Sequence, residues 1–132
     1  MGFYFQNNDD QFYKALFKNS VSAMLLIDFE TLKIMDANFA ACTFYKYSYQ
    51  EMLEFKLTDL AAGDADQIYT QINLSASYIK NSFVFKHRIS SGEIKNVRIN
   101  SGLAEIDNKK YIHAIINDLT ESEDFSRPVS QM

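Results

Sequence analysis

The sequence predicts an α+β domain in which an early β-hairpin and a helical middle precede three consecutive antiparallel strands. Residues 82–89 and 97–103 alternate apolar with polar side chains, as strands with one buried face do. Residues 111–117 are rich in β-branched and aromatic residues. Side chains that can cap helices recur between the hairpin and these strands. Because three consecutive antiparallel strands follow the helical middle, the sequence predicts the α+β class, with the early hairpin completing the sheet.

Composition limits the class of protein. The chain has 132 residues, of which 47% are hydrophobic, so it can bury one core as a single domain. A formal charge of −4 argues against a nucleic-acid surface, which needs clustered Lys and Arg. The longest apolar run, residues 23–27, is far too short to cross a membrane. With Cys42 as its one cysteine the chain has no internal disulfide, and we expect a cytoplasmic protein without membrane contact.

The N-terminal segment predicts an amphipathic helix. Residues 1–8 are expected to be disordered or extended, after which Asp9 or Asp10 can cap a helix over residues 11–18. Its apolar side chains form two rows with i,i+4 spacing, Phe12 with Leu16 and Tyr13 with Phe17. This apolar patch is expected to pack on the outer face of the sheet or on a second copy of the chain, which predicts a homodimer.

The next elements are a hairpin and two capped helices. Residues 23–28 are apolar on both sides and predict a central strand, which pairs with a second strand over residues 33–37. Asn38 then offers a side-chain cap for a helix. Ser48 opens another helix, and Glu51 three residues later completes a capping box.

The last third predicts two hairpins and an exit into a helix. Turns are expected at residues 90–93 and 107–109, where glycine, asparagine and aspartate tolerate unusual backbone angles. The final strand ends at Asn117. Thr120 and Glu123 then stand three residues apart, the spacing of a capping box, so a helix is expected to begin where the sheet ends.

These features together resemble the PAS sensory domain from about residue 12 to residue 121. Four pieces in order carry the resemblance: the helix start at Asn38 after residues 33–37, the segment 47–53, Ser91-Gly92 after His87-Arg88, and the closing Asp118-Leu119-Thr120. The chain departs from the family pattern at Lys46 and Glu54, where glycines are usual, and lacks the usual proline near residues 63–64. These departures affect loops more than the fold.

The resemblance implies a five-stranded antiparallel sheet with helices on one face and a small cavity between them. It implies a domain over residues 9–121, with residues 122–132 starting a truncated output linker. Such domains are sensory modules, not enzymes. They bind a small ligand or dimerise, and pass a signal to an output domain such as a histidine kinase or a cyclic-dinucleotide (GGDEF) enzyme.

The resemblance also assigns roles to side chains. The residues expected to line the cavity are Leu25, Ile27, Phe83, Phe85, His87, Val97, Ile99, Ser101, Ile112, Ala114 and Ile116. Those expected to face outward, toward a flanking helix or a partner subunit, are Tyr111, His113, Ile115 and Asn117. Asp118 and Thr120 are expected to couple the domain to its output.

The sequence leaves the cofactor unknown but argues against two. Flavin photoreceptors of this family need an Asn-Cys-Arg-Phe motif, where this chain has Phe55-Lys56-Leu57-Thr58-Asp59. Cys42 lies earlier and is interpreted as a small core residue. Haem-binding relatives use a histidine on the helix corresponding to residues 64–75, and none is present there. His87 and His113 are expected on opposite faces of the sheet, so they cannot share a metal.

His87 and Asp118 each have two interpretations. His87 either bonds a ligand or is a core histidine held by a protein group, and we favour the second because buried polar groups usually find protein partners. Any ligand is expected to be small, since Phe83, Phe85, Phe39 and Phe44 fill much of the volume. Asp118 either forms a coupling hinge with a base such as Lys86 or Arg88, or is ordinary local capping.

Two other classes of function compete with a ligand sensor. The N-terminal apolar patch fits a ligand-free dimerisation module. A cone-shaped α+β enzyme would use Asp28, Asp36 or His87 as general base, but such folds place two long helices before the sheet, whereas here a hairpin comes first.

Overall fold

A five-stranded antiparallel sheet organises the domain. The computed structural model describes residues 14–63 and 82–119 of the chain. The strand order across the sheet is β2-β1-β5-β4-β3. The strands are β1 (Ala23–Asp28), β2 (Ile34–Ala37), β3 (Ser82–Arg88), β4 (Ile94–Ile106) and β5 (Lys109–Asp118). The predicted α+β class and the five-stranded sheet are confirmed.

Three short helices connect β2 toward β3 in the described residues: α1 (Phe39–Tyr45), α2 (Tyr49–Met52) and α3 (Leu57–Leu60). Both caps predicted here are confirmed. Asn38 Oδ1 accepts the amide of Ala41 at 2.9 Å at the start of α1. At α2, Ser48 Oγ accepts the Glu51 amide at 3.1 Å, and the Glu51 carboxylate accepts the Ser48 amide at 2.8 Å. These bonds satisfy amides that have no partner inside the helix.

Several predictions fall on residues outside the described ranges. They concern Phe12 and Tyr13 of the N-terminal helix, the helix expected over residues 64–75, Thr120, and the segments 1–8 and 122–132. The described end of the N-terminal segment, Lys14–Lys18, forms a π-helical turn.

The strand register gathers the apolar residues of the sheet on one face. Leu25 pairs with Ala114, which pairs with Ser101 on its other side. Because directly paired residues share a face, each such row extends across the sheet. The helices add the buried residues that complete this core: Ala41, Tyr45, Met52, Leu57 and Leu60. The core therefore lies between the helices and one face of the sheet, which we call the inner face.

The N-terminal turn packs on the opposite, outer face of the sheet. Phe17 is buried, and its ring centroid lies 6.3 Å from that of His113. Lys18 Nζ lies 2.9 Å from the buried carboxylate of Asp36. Leu16, next to Phe17, remains 56% exposed. The turn therefore docks through Phe17 and Lys18 and leaves an apolar side chain in solvent.

A buried carboxylate organises the β1–β2 hairpin. Asp28 Oδ1 accepts the amides of Glu30 and Thr31, and Lys109 Nζ lies 2.9 Å from Oδ2. Burial opposes ionisation of Asp28, but the bonds from Lys109 and the two amides outweigh it and lower the pKa of the carboxyl. The second strand begins at Ile34, one residue later than predicted.

Candidate ligand-binding interior and signal exit

A histidine and a tyrosine form a polar pair inside the core. His87 lies on β3 and is fully buried, although its neighbours along the strand are not. Its Nδ1 lies 2.8 Å from the hydroxyl of Tyr45, the last residue of α1. The Tyr45 carbonyl accepts the amide of Ser90 at 2.8 Å, so the same residue is tied to the turn after β3. The pair joins the helical layer to the sheet.

Burial keeps both members of this pair neutral. It lowers the pKa of His87 to about 4 and raises the pKa of Tyr45 well above its usual range. If Tyr45 donates to Nδ1, the proton of His87 sits on Nε2. The reverse arrangement would leave two groups without a partner among the described residues, the tyrosine proton and the Nε2 lone pair, whereas this one leaves only Nε2–H. Tyr45 is therefore the donor, and His87 Nε2–H is a donor too.

The Nε2 atom of His87 is buried and has no hydrogen-bond partner within residues 14–63 and 82–119. A buried donor without an acceptor costs about 1–3 kcal/mol, so such groups are rare in folded proteins. The ring also stacks on Phe85, with centroids 6.1 Å apart and planes at 19°. Nδ1 of His87 is thus hydrogen-bonded to Tyr45, whereas Nε2–H is available to donate a hydrogen bond.

The residues predicted to line the cavity lie on the inner face of the sheet. Phe85 and Ser101 are half-buried. The others are buried: Leu25, Ile27, Phe83, His87, Val97, Ile99, Ile112, Ala114 and Ile116.

The prediction that Phe39 fills this interior is wrong. Its side chain is 79% exposed. Ala41 and Tyr45, four residues apart, present the buried face of α1, and Phe39 falls on another face of the same helix. Phe44 is half-buried and meets Tyr45 edge to face at 4.9 Å.

The four residues expected to face outward share the outer face. His113 pairs with Leu26, and Ile115 pairs with Met24. Tyr111 is buried, His113 and Ile115 are half-buried, and Asn117 is exposed. The outer face thus becomes more exposed toward the C-terminal end of β5.

Asp118 ends the last strand, and its side chain lies on the inner face because it pairs with Val97. Its carboxylate lies 3.9 Å from Lys95 Nζ. The predicted contact with Lys86 or Arg88 is wrong, since these residues alternate with His87 and belong to the outer face. The residue after Asp118 is already in helical conformation. The acidic end of β5 therefore lies beside Lys95 of β4 where the sheet ends.

The sequence predicts Asn38 only as a helix cap, but its side chain forms hydrogen bonds with four backbone groups. Oδ1 accepts the amides of Met24 at 3.0 Å and Ala41 at 2.9 Å. Nδ2 donates to the carbonyls of Phe17 at 2.9 Å and Ser22 at 2.8 Å. The side chain is fully buried and joins the N-terminal turn, β1 and α1.

The carboxylates considered as catalytic bases lie away from His87. Asp28 and Asp36 belong to the outer face, where Asp36 accepts hydrogen bonds from Lys18 and from the Tyr49 hydroxyl at 2.8 Å. Burial and the neighbouring Asp36 carboxylate raise the pKa of Tyr49 above its usual value. The sheet separates these groups from His87, so they do not form one site. In the described part of the chain no three His, Cys, Asp or Glu residues are grouped to hold a metal. No described helix is long and apolar enough to span a membrane.

A family profile described as a PAS domain matches residues 11–77, about half of the chain. The chain belongs to the PAS domain family. PAS domains are typically sensory modules without catalytic activity of their own.

One curated relative of this PAS domain is the diguanylate cyclase DgcM of Escherichia coli strain K12, which is 28% identical over 123 residues. The alignment covers 90% of the chain but 30% of the relative. A solved PAS domain from Colwellia psychrerythraea matches with a TM-score of 0.75 at 21% identity, covering 87% of this chain and 99% of that one. A PAS domain from a two-component sensor histidine kinase matches with a TM-score of 0.67 at 19% identity, covering 86% and 99%. These structures establish the shared fold.

Proposed function

We propose that this PAS domain senses a small molecule held between its sheet and its helices. Binding of that molecule is signalled to an output domain. The observation that supports the ligand site is the buried, unsatisfied Nε2–H of His87. The signal leaves through Asp118, where β5 ends beside Lys95. The similarity to part of a diguanylate cyclase supports a cyclic-dinucleotide enzyme as output.

The chemistry of His87 suggests the kind of ligand. Because Tyr45 already donates to Nδ1, the ligand has to offer an acceptor, such as a carbonyl or carboxylate oxygen, to Nε2–H. The surrounding interior is apolar, with Phe85 stacked on the imidazole. The fitting ligand is therefore a small, largely apolar molecule with one oxygen acceptor.

We expect protein purified from cells to carry a bound small molecule in native mass spectrometry. His87→Phe removes the donor and is expected to abolish the bound mass. His113→Phe, on the outer face, is the matched control and should keep it. An apo mass for the wild-type protein would contradict the ligand proposal, as would a ligand retained in full by His87→Phe.

A dimer through the outer face is a second part of the proposal, and it stands without any ligand. Phe17 packs on this face, and Leu16 beside it is 56% exposed. On the same face Val84 is 55% exposed and Ile115 half-buried. An apolar surface of this kind is suited to a second copy of the chain.

Light scattering at several concentrations tests the dimer. We expect Leu16→Asp to shift the protein toward monomer, because a charge would be buried in the interface. Thr43→Asp adds the same charge to an exposed position of α1 and should leave the dimer intact. A wild-type protein that is monomeric at every concentration would rule out the dimer and leave the ligand proposal untouched.

A further inference from the structure

An open cleft lies on the side of α1 that faces away from the core. Phe39 and Cys42 stand three residues apart and share one face of the helix, and Lys46 follows directly after its last residue. Together with Lys18 and Tyr49 they border a cleft of about 600 Å³. Small-molecule sites usually have volumes of about 300–1,000 Å³. Because Tyr45 belongs to the other face of α1, this cleft is separate from the interior around His87.

The cleft is positively charged although the chain carries a net charge of −4. Lys18 and Lys46 line it, and no carboxylate is among its described lining residues. Lys18 forms an ion pair with Asp36, and its Nζ lies 4.7 Å from the centre of the Tyr49 ring. Lys46 forms no ion pair with another residue of the ranges 14–63 and 82–119. One uncompensated ammonium therefore faces the cleft, next to a second that is partly neutralised.

The backbone conformation of Lys46 is one that favours glycine over lysine. Lys46 follows the last residue of α1 with φ 65° and ψ 37°, a left-handed conformation that glycine adopts without strain. A lysine at this position is less favourable for folding than glycine. The chain nevertheless has lysine here, and the Lys46 side chain lines the cleft.

The walls of the cleft also present aromatic surface. Phe39 borders the cleft and is 79% exposed. Tyr47 is half-buried and packs edge to face on Phe55, with centroids 4.8 Å apart. A ligand with a planar ring and a negative charge can stack its ring on an exposed phenyl group while its charge meets the neighbouring ammonium group.

We propose that this cleft binds an organic anion that carries an aromatic ring and has about the size of a mononucleotide. The phosphate or carboxylate of the ligand lies against Lys46 and Lys18, and its ring packs against Phe39 and Tyr47. The site is independent of the His87 interior, so the domain has two sites for ligands of different chemistry.

Cys42 provides a direct measurement of occupancy, because it is the only cysteine of the chain and it borders the cleft. We expect AMP, used as the probe, to slow alkylation of the Cys42 thiol about fivefold or more at saturation. Adenosine has the ring without the charge, and inorganic phosphate has the charge without the ring. At the same concentration and ionic strength, each is expected to protect far less than AMP.

Lys46→Gly separates binding from folding. Glycine relieves the left-handed strain, so this variant is expected to be at least as stable as the wild type in urea. Its affinity for AMP should nevertheless fall by about fivefold or more. Lys110→Gln removes a lysine from the exposed β4–β5 hairpin and should bind AMP as the wild type does. Absence of protection by AMP, equal protection by phosphate alone, or unchanged binding by Lys46→Gly would overturn the proposal.

Discussion

Replacing Asn38 by alanine is expected to lower the free energy of unfolding by about 4 kcal/mol, measured by urea denaturation. The substitution removes the helix cap, worth about 1 kcal/mol, and takes the side-chain partner from the amide of Met24 and the carbonyl of Ser22. It also removes one of the hydrogen bonds that the buried carbonyl of Phe17 accepts. Each unsatisfied group costs about 1–3 kcal/mol before water and local relaxation recover part of the loss.

Asn38→Asp distinguishes this network from a simple cap. Aspartate caps helices as well as asparagine does, so a residue that only capped α1 would tolerate the change. Here a carboxylate oxygen would face the carbonyls of Phe17 and Ser22, which now accept from Nδ2, so we expect a loss at least as large as for alanine. Ser48→Ala, at an exposed cap, is the control and should cost about 1 kcal/mol. Equal losses for Asn38→Ala and Ser48→Ala would show that Asn38 is an ordinary cap.

Asn38 also shows which contacts a local sequence pattern can predict and which it cannot. Its role as a cap depends on the spacing to the following helix, which is visible in the sequence. Its bonds to Phe17 and Ser22 join residues 21 and 16 positions away. Such partners are set by how the N-terminal turn docks on the sheet, and no local periodicity encodes that arrangement. The fold class and the faces of the strands were predictable for the opposite reason, since alternation along a strand is local.

The candidate site was predictable in part. Alternation placed His87 on the inner face, but its partner Tyr45 comes from a helix 42 residues earlier and was not foreseen. The available signal in the sequence is the i,i+4 spacing of Ala41 and Tyr45, which places both side chains on one face of α1. The wrong contact of Asp118 had a different cause. The prediction of Lys86 or Arg88 as partner rests on charge alone. Alternation along β3 places both on the outer face, while the strand register brings Lys95 to Asp118.

The stability of the domain is expected to fall on acidification because His87 is buried as the neutral base. Its pKa is about 4 in the folded chain against an ordinary value of 6.5. Between these values the unfolded chain binds the proton and the folded chain does not, so folding loses stability as pH falls. At about 1.4 kcal/mol per pKa unit, the loss from His87 is about 2 kcal/mol between pH 7 and 5, and about 3 kcal/mol by pH 4.

The measurement is the difference in urea stability between wild type and His87→Phe across this pH range. Asp28 also weakens the fold in acid, because its pKa is lowered in the folded state, but it is present in both proteins and cancels. Burial lowers the pKa of His113 in the same direction, so His113→Phe measures that share separately. A wild-type pH dependence no steeper than that of His87→Phe would contradict a buried neutral His87.

The same titration discriminates between the two kinds of acceptor that suit Nε2–H. A carboxylate ligand would favour the protonated imidazole and raise the pKa of His87, so the loss of stability between pH 7 and 4 would shrink when the ligand is bound. A carbonyl ligand accepts the same hydrogen bond without a charge and would leave most of the pH dependence in place. Because Tyr45 holds Nδ1 in both cases, the difference between the two profiles reports the charge of the group that meets Nε2.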